Sequence, residues 1–273
     1  MMTQTVLITG ANGGLGRLMR PRLAREGRTL RLLDLVTPEP PADGEDVEVL
    51  QGSVTDEKVV RDACDGVDAV IHLGGISVEA PWQDILTNNI DGTRVLLEQA
   101  RDAGVERVVL ASSNHAVGFY GKEEAGPDGL RADILPRPDT YYGFSKAALE
   151  ALGSLFHSRY GMDVTCLRIG SCFEKPWDAR SLWTWMSPDD GARLLEACLA
   201  TPEPGFRIVW GISRNTRRWW SLEAGEQIGY HPQDDSEVFA QEILAHVEES
   251  GQGADVRLVG GKFCFTELGA HQH

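Results

Sequence analysis

Short apolar runs bounded by turn residues recur along the first 170 positions: TVLIT at 5–9, TLRLLDL at 29–35, VEVL at 47–50, DAVIHL at 68–73, RVVLAS at 107–112 and DVTCLRI at 163–169. Runs this short and rich in Val, Ile and Leu suit strands buried on both faces. Longer stretches with apolar residues three and four apart separate most of them, at 14–26, 56–64, 83–103 and 142–159, and this spacing predicts helices. The alternation predicts an α/β chain with a Rossmann-like, doubly wound parallel sheet, helices on both faces and ligands at the carboxyl ends of its strands. Beyond position 170 the rhythm changes. Residues 171–273 hold one strand-like run, FRIVWG at 206–211, with short helical stretches and most of the tryptophans. The chain is therefore expected to divide into a sheet domain over 1–170 and a small lobe over 171–273 that partly returns to the sheet.

Composition narrows the setting. With 273 residues, 42% hydrophobic and 25% charged, the chain is ordinary for a globular protein. The stretch VTPEPPADGEDVE at 36–48 reads as a surface loop. No apolar run reaches the roughly 18 residues of a membrane span, and MMTQTVLITG lacks the pattern of a secretion signal. A cytoplasmic protein with no membrane partner is expected. The five cysteines, Cys64, Cys166, Cys172, Cys198 and Cys264, form an odd set without CxxC spacing, which favours buried thiols over disulfides or zinc. No metal is expected. A balance of 41 acidic to 26 basic residues, net charge −15, disfavours nucleic acid and anionic lipid. Only five of the basic residues are lysines, and an acidic, lysine-poor surface fits life at high salt, where screening relieves self-repulsion.

Two stretches carry candidate chemistry. The first strand runs into TGANGGLG at 9–16, with glycines at 10, 13 and 16 and a helix at once afterwards. Glycines there allow a tight turn and let a helix N-terminus face a pyrophosphate, although a purely structural turn has the same composition. Asp34 ends the second strand, eighteen residues after Gly16, where a carboxylate can hold an adenosine ribose and would repel a 2′-phosphate. NAD is favoured over NADP. In TYYGFSKAAL at 140–149, Tyr142 and Lys146 lie four apart and share a helix face, whereas Tyr141 is rotated away. A nearby ammonium favours phenolate over phenol and pulls down a pKa of about 10, so such a tyrosine can move protons. A tyrosine packed on its helix beside a solvated lysine would look the same.

The glycine spacing GxxGxxG, the pair Tyr142 and Lys146, and LASSNH at 110–115 after the fifth strand together resemble the short-chain dehydrogenase/reductase superfamily. The segments HLGGISVE (72–79), ASSNH (111–115), YGFSK (142–146), RIGSC (168–172), WTWMSPDD (183–190), IVWGIS (208–213) and WW (219–220) narrow the resemblance to the uronate dehydrogenase family of its extended group, over nearly the whole chain. That resemblance implies an NAD-dependent enzyme that oxidises C1 of a small uronic acid, D-glucuronate or D-galacturonate, to the aldarolactone. It implies that Tyr142 is the acid/base, that Lys146 lowers its pKa and holds the nicotinamide ribose, and that Ser113 hydrogen-bonds the reacting oxygen. Ser77, Asn114, His115 and Ser171 match residues that bind sugar hydroxyls or the carboxylate. Arg180, in EKPWDARSL, matches the family's carboxylate-binding arginine, whose guanidinium can make two parallel hydrogen bonds. Carried over likewise, the NAD contacts are Gly10, Gly13, Gly14, Leu15, Gly16, Asp34, Leu35, Ser53, Val54, Leu73 and Ile169, with Tyr142 and Lys146. Ser53 departs from the pattern: many relatives carry an aspartate there that contacts the adenine amino group. In these terms 1–170 is the NAD-binding domain and 171–273 the substrate lobe.

Two other readings compete. A nucleotide-sugar epimerase or dehydratase uses the same tyrosine and lysine, but it needs a larger C-terminal lobe and a basic cradle for a diphosphate. An NAD-sensing regulator would keep the fold without turnover, yet this chain retains both Tyr142 and Lys146. Trp183, Trp185, Trp219 and Trp220 are expected to form lobe core rather than sugar platforms. Members of the group often pair through helices here near 83–103 and 142–159, which is compatible with a homo-oligomer, although no exposed apolar pattern marks one.

Overall fold

The computed structural model describes residues 4–250 and 257–271. In chain order its elements are β1 (Gln4–Thr9), α1 (Gly14–Leu23), β2 (Arg28–Asp34), β3 (Val47–Gln51), α2 (Glu57–Cys64), β4 (Ala69–His72), α3 (Trp82–Ile85), α4 (Gly92–Asp102), β5 (Arg107–Ser113), α5 (Tyr141–Tyr160) and β6 (Asp163–Ile169). There follow β7 (Ser171–Cys172), α6 (Ser181–Thr184), β8 (Trp185–Met186), α7 (Pro188–Ala200), β9 (Phe206–Gly211), α8 (Glu223–Glu226) and α9 (Ala240–Ser250). Among the described residues one seven-stranded sheet runs in the order β3-β2-β1-β4-β5-β6-β9. Every neighbouring pair is parallel.

The strands lack polar alternation because both faces are covered. Val6 and Ile8 of β1 pack with Met19 and Leu23 of α1 and Leu194 and Leu195 of α7. The intervening Leu7 packs on the other face with residues of α2, α4 and α5, including Val60, Leu97 and Leu149. Chain order reverses between β1 and β4, so the crevice above their carboxyl ends is where such a sheet admits a ligand. A third cluster, with Trp210, Trp219 and Trp220 around Leu130 and Val259 and Trp183 packed against it, accounts for these four tryptophans as packing residues. The strand expected at 206–211 is β9, which joins β6 as the sheet's seventh strand.

One predicted helix differs. The stretch 83–103 is broken into α3 and α4 by a widened π turn at Leu86–Asp91. Asn89 causes the break by turning its amide inward: Oδ1 accepts from Ile76 N at 2.7 Å, and Nδ2 donates to Ile76 O and to Ser145 Oγ, each at 2.9 Å. An extra residue in the turn lets a buried amide tie the loop after β4 to α5, a use that periodicity of apolar residues does not reveal.

Candidate active site

The glycine loop has little freedom to be anything else. Gly10 has φ +68°, and a Cβ there would stand 2.7 Å from Gly74 N. At Gly16 a Cβ would be 2.5 Å from the carbonyl oxygens of Gly10 and Ala11, so the first helical turn can sit close against β1 only without a side chain. Gly13 is the N-cap of α1, with no side-chain cap and no acidic residue in the first turn. Gly14 faces open space, with nothing within 4 Å of a Cβ, and Leu15 follows it. Uncapped N–H groups with open space beside them fit a pyrophosphate. Asp34 ends β2 and accepts from Asn12 N at 2.8 Å and from Val36 N at 3.2 Å, which fixes its carboxylate at the edge of the crevice; Leu35 beside it is exposed. Ser53 is occupied with its own turn, its Oγ 2.7 Å from Thr55 Oγ1. Val54 packs beside Gly74 and Gly92, Leu73 leaves β4 with its N–H on Thr9 O, and Ile169 closes β6. The predicted cofactor residues therefore gather along the carboxyl ends of the central strands, and the residues present fit a dinucleotide.

Ser113, Asn114 and His115 emerge together from the end of β5. Tyr142 is the second residue of α5, whose N-cap Thr140 accepts from Gly143 N at 2.9 Å. Burial pushes the Tyr142 phenol up to about 12; a hydrogen bond from Ser113 favours the phenolate, and the negative charge of Asp139 opposes it. Lys146 is buried one turn later, its Nζ donating to Ala111 O at 2.7 Å and lying 5.6 Å from the centroid of the Tyr142 ring. Desolvation lowers the Lys146 ammonium to about 8, against the pull of Glu150. In this arrangement the Lys146 ammonium donates to a backbone carbonyl, and burial is the largest influence on the Tyr142 phenol. Tyr141 packs edge-on against Trp82 at 5.3 Å, away from this chemistry.

The remaining polar residues meet at a segment that motifs did not mark. Arg180 Nη2 donates to Val259 O at 2.5 Å, and Asn114 Nδ2 donates to the same oxygen at 3.0 Å. Arg180 Nε is buried and has no hydrogen-bond partner among the described residues. Burial depresses the pKa of this guanidinium, with Asp178, Asp139 and Cys264 opposing. Ser171 Oγ lies 2.9 Å from Thr184 Oγ1, which in turn reaches Arg180 O at 3.4 Å. Ser77 stands on the exposed loop after β4. Thus Ser113 and His115 adjoin Tyr142, Asn114 and Arg180 meet at one carbonyl, Ser171 is bonded to Thr184, and among the described residues Ser77 makes no hydrogen bond to the others.

Sequence reading missed four members. Glu79, fully buried, accepts from Tyr142 N at 2.9 Å and from Gly269 N at 2.8 Å, tying α5 to the C-terminal segment. Asp139 holds His115, Val259 offers its carbonyl, and Phe263 stacks on His115 with centroids 4.1 Å apart. Asp139 and Glu79 could have drawn notice as acids close to or preceding the tyrosine motif, whereas a backbone carbonyl leaves no trace in sequence.

A model of the NAD dependent epimerase/dehydratase family matches residues 6–174. The chain is similar to uronate dehydrogenase of Pseudomonas syringae pv. tomato, 40% identical across 94% of this chain and 92% of that protein. It is also similar to the NAD-dependent glucose-6-phosphate dehydrogenase of Haloferax volcanii, 40% identical across 88% of this chain and 97% of that one. Among solved structures, a mutant uronate dehydrogenase from Agrobacterium tumefaciens complexed with NAD superposes with a TM-score of 0.88, at 39% identity, covering 97% of this chain and 98% of the other.

Proposed function

The chain belongs to the NAD dependent epimerase/dehydratase family and groups within it with the uronate dehydrogenases, and we propose that it oxidises C1 of D-glucuronate or D-galacturonate to the aldarolactone with NAD⁺. The observation that carries this reading is Arg180, whose Nη2 shares the Val259 carbonyl with Asn114, the neighbour of Ser113, and whose buried Nε has no hydrogen-bond partner among the described residues. A buried donor without an acceptor is costly, and a carboxylate is the complement that satisfies it with a charge-assisted bond.

The glycine loop would hold the pyrophosphate, Asp34 the adenosine ribose, Val54 the adenine and Lys146 the nicotinamide ribose. When bound, NAD⁺ supplies the acceptor for the hydride that leaves C1. Ser113 steadies the C1 hydroxyl oxygen and stabilises the phenolate of Tyr142, which takes the hydroxyl proton. Lys146, the cation on the same helix face, adds positive charge beside that phenolate. Arg180 and Asn114, held by one carbonyl, orient the far end of the sugar, and fixed orientation of reacting groups is a large source of rate.

A second reading has one observation behind it: the equally similar Haloferax volcanii protein acts, by its name, on glucose 6-phosphate, and a phosphate is also a guanidinium ligand. Following absorbance at 340 nm with NAD⁺ or NADP⁺ against glucuronate, galacturonate, glucose 6-phosphate, glucose and UDP-glucose separates the two. The expected result is a preference for NAD⁺ and a uronate. A higher kcat/KM with glucose 6-phosphate would make Arg180 a phosphate anchor and displace the uronate reading.

A further inference from the structure

Asp139 is a buried carboxylate that the proposed chemistry leaves without a task. Its side chain is fully enclosed, and three glycines from separate segments make room for it. A Cβ at Gly118, Gly143 or Gly260 would stand 2.0, 2.7 or 1.9 Å from a carboxylate oxygen. Those glycines lie on the turn after β5, on α5 and on the C-terminal segment, so the walls of the cradle come from across the fold. Inside it, Oδ1 accepts from Thr140 Oγ1 at 2.9 Å, and Oδ2 lies 2.7 Å from His115 Nδ1.

A carboxylate oxygen only accepts, so Nδ1 donates, and in the neutral imidazole Nε2 is left as an acceptor. The ring cannot turn freely, because Phe263 packs on it at 4.1 Å and Tyr142 meets it edge-on at 5.6 Å. No side chain among the described residues hydrogen-bonds to Nε2. We propose that Asp139 is a positioning residue that holds His115 as the Nδ1–H tautomer, so that Nε2 accepts a hydrogen bond from a hydroxyl of the sugar acid.

The identity of that hydroxyl donor rests on the uronate reading, whereas the tautomer does not. Asparagine at 139 keeps the volume the glycines enclose, but it can offer an N–H to Nδ1 and so favours the opposite tautomer. The test has two arms. Nitrogen-15 spectra of histidine-labelled protein without added sugar, with His115 assigned by loss of its signals in His115→Gln, should show protonated Nδ1 in the native chain and protonated Nε2 in Asp139→Asn. In the kinetic arm, Asp139→Asn should lower kcat/KM for uronate about tenfold to a hundredfold. The KM for NAD⁺ should stay within about twofold, and the same change made in the His115→Gln background should add less than about twofold. Equal losses in both backgrounds, or a native His115 protonated at Nε2, would overturn the proposal while uronate turnover by the native chain left the functional reading standing. A protonated Nδ1 with no uronate turnover would instead overturn that reading and the hydroxyl assignment with it.

Discussion

The two halves of the crevice are built on different plans. The cofactor side is local: Gly10, Gly13 and Gly16 lie within one turn of chain, and Asp34 is fixed by Asn12 N and Val36 N, partners 22 and two residues away. The proposed substrate side is assembled from distance, with Asn114 and Arg180 meeting at Val259 O across separations of 145 and 79 residues. The cofactor side spends backbone geometry and presents open N–H groups. The proposed substrate side spends buried charge, with Lys146 and Asp139 withdrawn from water and Arg180 partly so. The difference teaches that a ligand common to many enzymes can be met by a short, portable motif, whereas the ligand that distinguishes one enzyme is met by tertiary structure.

Substitutions can break that comparison, and the largest effect is expected at the reacting centre. Tyr142→Phe should abolish turnover while leaving NADH binding, followed by fluorescence titration, largely intact, because only the proton acceptor is removed. Retention of a tenth or more of the activity would move the base elsewhere, with Tyr141 first in line. Next, Arg180→Ala should lower kcat/KM for uronate by roughly tenfold to a hundredfold, the value of a charge-assisted contact, with little change in the KM for NAD⁺. Lysine at 180 should restore part of the loss, since it returns the charge but not the fork. Equal losses on uronate and on a neutral sugar would make Arg180 structural. On the cofactor side, Gly10→Ala should do the reverse, raising the KM for NAD⁺ and lowering Tm, because left-handed backbone strain and the 2.7 Å approach to Gly74 N together cost about 1–3 kcal/mol.

The remaining effect concerns pH and vanishes at neutrality. His72 lies fully buried beneath the glycine loop, between Thr9 Oγ1 at 2.7 Å and Thr93 Oγ1 at 3.2 Å, and burial lowers its pKa to about 3 from 6.5. Between those values the unfolded chain binds the proton and the folded chain does not. Stability from this group is therefore present above pH 6.5 and lost progressively as pH falls toward 3. Tm measured down this range should fall more steeply in the native chain than in His72→Gln. Parallel slopes would assign the acid sensitivity to other groups.

How much was legible follows the same division. The seven sheet strands were readable because each is a short run rich in apolar residues, the inner ones covered on both faces, and FRIVWG at 206–211 stood out at an edge as well. Ser113, Tyr142 and Lys146 were readable because the family spacing reports one strand end and one helix face. The break at Leu86–Asp91 was not, since it depends on where the Asn89 amide finds partners. Nor was the setting of Lys146, because helical spacing places it beside the phenol but says nothing of Ala111 O, which accepts its hydrogen bond. Asp139 was hidden for a related reason: its setting is made by the absence of side chains at three distant glycines.

The carbonyl of Val259 has a consequence for the order in which the protein is made. During synthesis the amino-terminal elements leave the ribosome first, and parallel strands with their covering helices can begin to pair as they emerge. The glycine loop, Asp34 and the end of β5 all precede in the chain the residue whose carbonyl joins Asn114 and Arg180. A nascent chain would thus acquire the capacity to bind its dinucleotide well before it can orient a sugar. The dinucleotide can then act as a folding ligand, stabilising an intermediate whose substrate wall is still on its way.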